Sequence, residues 1–97
     1  MAEKVIHKYE IPASAATPEG VRISMPVGAR ILSVGIQSDG KVKLWALVDP
    51  ESEFFLYEVY AVGTGWKLSP KMEGMKCAGR ITTVDGLEFH IFINARY

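Results

Sequence analysis

Chemically capable side chains are few in this sequence and lie far apart. Two imidazoles (His7 and His90), one thiol (Cys77), the hydroxyls of Ser33 and Ser69 and the carboxylate of Asp85 are the types from which a nucleophilic site would be built. Such a site needs a nucleophile, an adjacent base and a group that orients the base. No nucleophile elbow, paired-carboxylate motif or phosphate loop ending in Gly-Lys-Ser/Thr gathers these types, so no catalytic residue is assigned. A small hydrolase would require His7, His90 or Cys77 to converge in a cleft. Both histidines stand beside large apolar or aromatic neighbours, where a packed ring with locally bonded nitrogens is expected. Cys77 falls in a strand-like stretch and reads as a buried, inert thiol. One cysteine excludes an internal disulfide and a multi-thiolate zinc site within the chain, and the histidine spacings match no ligand pattern. Neither a metal nor a cofactor is expected.

The best binding signal is the run Gly63-Thr64-Gly65-Trp66-Lys67, which sets flexible backbone, a hydroxyl, an aromatic plane and a cation in succession. Such a set can stack a base on Trp66 while Lys67 and free amides meet a phosphate. With Arg80 as a second cation, the candidate ligand residues are Thr64, Gly65, Trp66, Lys67 and Arg80, lining a site between chains. The competing reading is that Trp66 plugs the open end of a sheet and Lys67 is solvated. Trp45, followed by Ala46, Leu47 and Val48, reads as core.

A scaffold of strands must position these residues, because apolar side chains alternate or cluster with β-branched and aromatic types between closely spaced turn signals. Val5–Ile11 alternates and stops at Pro12, after which Pro12–Gly20 is a surface connection. Val21–Met25 leads into a tight turn through Pro26 and Gly28. Arg30–Gln37 carries apolar groups on both faces and is expected to be a central strand. Ser38-Asp39-Gly40 turns the chain into Lys41–Val48, and Asp49-Pro50 breaks it. Phe54–Val62 is expected to be sheltered on both faces, and Trp66–Gly74 is a loop. Asp85-Gly86 predicts a two-residue hairpin between Lys76–Val84 and Leu87–Ile93, with Val84 opposite Leu87 and Phe92 over Gly79.

Ninety-seven residues suffice for one domain, 1–97, with a modest core. Eleven basic and eleven acidic side chains cancel, which argues against non-specific nucleic-acid binding. No apolar stretch approaches the ~20 residues needed to cross a bilayer, and the opening Met1-Ala2-Glu3-Lys4 lacks a signal-peptide core. A cytoplasmic protein without membrane contact is the expectation.

Several segments together resemble a small uncharacterised family of tailed-phage and prophage proteins. They are Lys8-Tyr9-Glu10-Ile11, the run Met25-Pro26-Val27-Gly28-Ala29-Arg30-Ile31-Leu32-Ser33-Val34 with Gln37, then Leu44-Trp45-Ala46-Leu47-Val48-Asp49-Pro50, Gly63-Thr64-Gly65 and Phe89-His90-Ile91-Phe92. The connection after Trp66 and the extension past Phe92 are longer than in that pattern. The resemblance implies a phage or prophage origin, work in the bacterial host cytoplasm and a compact β fold; it carries over no catalytic residue.

The combined expectation is an all-β domain, a single antiparallel sandwich or small barrel of about seven strands. Strands apolar on both faces must close on themselves or meet a partner chain, so a homo-oligomer is expected. The leading functional reading is non-catalytic binding of a host or phage protein, or assembly. The alternative is a small nucleotide ligand, sequestered as a counter-defence sponge.

Overall fold

Alternating side chains make the first strand, β1 (Val5–Ile11), and Pro12 ends it because proline brings no N–H to a ladder. Six more strands follow in the computed structural model, which describes residues 3–96, with side chains through residue 94. They are β2 (Val21–Pro26), β3 (Arg30–Ile36), β4 (Val42–Val48), β5 (Phe54–Gly63), β6 (Lys76–Thr82) and β7 (Glu88–Arg96). All pairs are antiparallel, in a three-stranded sheet ordered β1-β4-β3 and a four-stranded sheet ordered β2-β5-β7-β6. Among the described residues the remaining regular structure is two short 3-10 turns, Ala13–Ala16 and Pro70–Met72. None of their helices is long and apolar enough to cross a membrane. The domain is a small all-β sandwich.

The sheets meet over one core. Leu44, Ala46 and Val48 from β4 face Tyr57 and Val59 from β5, with Met25, Ile81, Ile91 and Ile11 completing the buried set. Ala15 joins them, so the 12–20 connection is not wholly superficial; its 3-10 turn tucks a methyl under the end of the sheets. Burial of this kind contributes about 25 cal/mol per Å² of apolar surface and is the main driving term. The one large polar handle in the core is satisfied: the Tyr57 hydroxyl donates to the Pro26 carbonyl (2.9 Å) and accepts the Ala29 N–H (3.2 Å). That phenol pins the Pro26–Ala29 turn, whose Val27 N–H also bonds the Glu53 carbonyl at 2.7 Å.

Three strand expectations are corrected. β3 is an edge, not a central strand: β4 lies between it and β1. A bulge between Ile31 and Ser33 shifts its phase, so Ile31, Val34 and Ile36 all point inward while Leu32 turns outward, 44% exposed. Three of the four apolar residues that suggest two covered faces therefore serve one.

β5 is sheltered fully only on its inner face. On its outer face Tyr60 and Val62 are covered by Met72, whereas Phe54 and Leu56 remain exposed. Trp45 is likewise half-buried on the outside of β4, its ring 3.6 Å from where a side chain on Gly35 would begin.

The third correction is the last hairpin, which has a three-residue loop. Thr83 and Leu87 close it (N···O 2.8 Å), Gly86 takes a positive φ of 87°, and the Thr83 hydroxyl accepts the Leu87 N–H (3.1 Å) and donates to Asp85. The register moves by one, putting Ile81 opposite Phe89 and Gly79 opposite Ile91, with Phe92 across from Cys77.

Candidate binding cleft

Where β5 leaves the sheet, Gly63 bonds through its carbonyl to the Trp66 N–H (3.0 Å), and Gly65 turns the chain with a φ of +91°. This tight turn folds the Trp66 indole back over Gly63, where an added Cβ would lie 2.6 Å from the ring. Phe89 meets the indole edge to face, with centroids 5.7 Å apart and planes at 87°. Trp66 thus packs over Gly63 and against Phe89. It nevertheless keeps 53% of its surface exposed, which leaves a usable aromatic face.

The indole stands between two depressions. The larger, about 400 Å³, is lined by Tyr60 and Val62 of β5, by Trp66, Lys67, Leu68, Ser69 and Met72 of the loop that follows it, and by Ala16, Thr17 and Pro18 of the 12–20 connection. Lys71 places its ammonium 5.3 Å from the centre of the Tyr60 ring. None of the lining residues is acidic. The smaller, about 290 Å³, lies between Gly63, Thr64, Trp66 and the Gly86–Phe89 segment.

The structure divides the candidate set of Thr64, Gly65, Trp66, Lys67 and Arg80. Trp66 and Lys67 share the large cleft. Thr64 turns to the outer face of β7, where its hydroxyl meets His90 Nε2 at 2.8 Å and its N–H donates to the Glu88 carbonyl at 3.1 Å. Arg80 stands opposite His90 on β6, 3.8 Å from the Glu88 carboxylate, and lines neither depression. Tyr60, Met72 and Pro18 line the cleft without having been expected there. For Met72 the sequence signal was Pro70-Lys71-Met72, a proline-started turn carrying an apolar residue inside a polar loop.

The catalytic types do not assemble. His7 belongs to the three-stranded sheet and approaches Tyr9 (Nδ1 to hydroxyl 3.5 Å), whereas His90 lies in the other sheet beside Thr64. Cys77 is exposed rather than buried, its sulfur 3.6 Å from the Gly79 carbonyl. Among the described residues no three His, Cys, Asp or Glu side chains form a group able to hold a metal ion.

The family described as a domain of unknown function, DUF7352, matches residues 2–96, and the chain belongs to it. No curated protein and no solved structure matches the chain.

Proposed function

We propose that this member of the DUF7352 family acts by binding rather than by catalysis, and that the Trp66 cleft holds a small planar molecule bearing negative charge. One observation carries the reading: a half-exposed indole, a Tyr60 ring and Lys67 line one depression of about 400 Å³ with no acidic side chain in the lining. That volume lies within the ~300–1,000 Å³ typical of small-molecule sites. Aromatic stacking is worth about 1–3 kcal/mol per base and is indifferent to base identity, so a nucleotide has the matching chemistry. The phage and prophage resemblance supports a role in the infected bacterial cytoplasm, where sequestering such a molecule would counter a host signal.

Titration against a panel of mononucleotides and cyclic dinucleotides, followed by thermal unfolding, tests this. A ligand at about 100 times its dissociation constant adds ~2.7 kcal/mol of stability. Loss of that gain in Trp66→Ala, with retention in Arg80→Ala, supports the cleft; no response across the panel refutes it.

Protein binding or assembly is the second reading, favoured by the outward apolar side chains Ile6, Leu32, Phe54 and Leu56. Pull-down from host lysate with and without Leu56→Asp checks it, and a partner list unchanged by that substitution counts against it.

A further inference from the structure

The four edge strands of the two sheets are not alike. β3 is interrupted by its bulge at Leu32, β6 by a bulge between Cys77 and Gly79, and β2 finishes at Pro26. Bulges and prolines are the usual means by which edges are kept from pairing with other chains. β1 has no bulge, its proline, Pro12, falls just outside the strand, and it keeps unbroken register with β4 from Val5 to Ile11.

Its inward face is also uncovered. Val5 and His7 lie on the side that carries Ile11 into the core, yet both are exposed. Lysine on an edge commonly guards it, but Lys8 Nζ instead donates to Gln37 Oε1 at 2.9 Å, and Gln37 lies just past the end of β3, on the far side of β4. The ammonium is thereby drawn away from the open side.

We propose that β1 pairs antiparallel with β1 of a second copy of this chain about a twofold axis at His7, joining two three-stranded sheets into one of six strands. Charge and pairing select that register. Centring on Lys8 would set Lys8 against Lys8 of the partner subunit, and like charges directly opposed are destabilising. Centring on Tyr9 brings Pro12 into the ladder, shortens it and leaves Val5 bare.

Centring on His7 sets Val5 against the partner's Tyr9, Ile6 against the partner's Lys8 and Lys4 against the partner's Glu10. Each pair occurs twice by symmetry. The first covers the bare inward face, and the last is an opposite-charge pair flanking the ladder. The contact is short, so association is concentration-dependent. It rests on the β1 edge and is independent of the cleft.

The test is a cysteine scan in a Cys77→Ser background under mild oxidation, with sedimentation equilibrium of the unmodified chain. Residues opposed across an antiparallel pair have Cα atoms about 4.5–5.5 Å apart, within disulfide range, while positions off the axis lie beyond it. His7→Cys is expected to form a covalent dimer quickly, with Lys8→Cys and Tyr9→Cys much slower. Val5→Asp, at a position already 39% exposed and with folding checked by circular dichroism, is expected to weaken dimerisation at least tenfold. A monomer at all concentrations, or linkage at Lys8 or Tyr9 in preference to His7, overturns the proposal.

Discussion

The Tyr57 hydroxyl serves two backbone groups of one turn, so its deletion has an unusually local meaning. Tyr57→Phe keeps the ring in the core but leaves the Pro26 carbonyl and Ala29 N–H without that partner. The expected cost is about 1–3 kcal/mol, read as a lower urea midpoint at unchanged slope.

Acid sensitivity is also set by single residues. Asp39 accepts the Lys41 N–H at 2.9 Å and pairs with Lys43 at 3.5 Å, and the backbone bond above all holds its carboxyl below the usual range. Asp85 is lowered first by the Thr83 hydroxyl. A carboxyl whose folded pKa is depressed contributes stability above its unfolded pKa, and that contribution disappears as pH falls through the folded value. Asp39→Asn is therefore expected to flatten the decline in melting temperature below about pH 4, where free aspartate protonates. Melts from pH 2 to 7 check this.

At the scale of elements, the cover over β5 and the final hairpin carry the informative tests. Met72, on a three-residue turn, shields Tyr60 and Val62. Met72→Ala is expected to cost an amount near the low end of the about 2–5 kcal/mol range for buried truncations. It should also raise acrylamide quenching of Trp66 in a Trp45→Phe background, because both Met72 and Trp66 wall the same cleft.

Strand positions were legible wherever period-two alternation ran unbroken, as in Val5–Ile11 and in Val42-Leu44-Ala46-Val48, whose inward phase is the observed one. Phase was illegible where one residue is inserted. Nothing in Ile31-Leu32-Ser33-Val34 announces that Leu32 is the bulged residue, because its pairing partner lies on another strand. The hairpin failed for a nearer reason: Thr83 supplies a hydroxyl that closes a three-residue loop in competition with the two-residue Asp-Gly turn. In the cleft, Trp66 and Lys67 were readable as neighbours in sequence. Pro18 and Tyr60 were not, since only the fold brings them beside Trp66.

For the molecule as a whole, the packing of the two sheets is tested where β3 meets β6. Gly79 has a φ of +147°, and a Cβ built there would lie 2.7 Å from Val34 Cγ2 in the opposite sheet. Gly79→Ala is expected to destabilise by about 1–3 kcal/mol through overpacking and backbone strain. Val34→Ala costs stability alone but should recover part of the loss when combined with it. A double-mutant cycle by chemical denaturation measures that coupling, and strictly additive costs would mean that the sheets do not press together there.

The strand order has a consequence for how the chain is made. Val5 pairs with Val48, so β1 is not fully partnered until 43 further residues (48 − 5) have been synthesised. At ~5–20 residues per second on the ribosome this is on the order of 2–9 s. Hairpins form within about 10 μs, so β3–β4 can close as soon as it emerges. The nascent Val5–Ile11 segment must then find that hairpin's open flank, which makes it the strand most exposed to chaperones during translation.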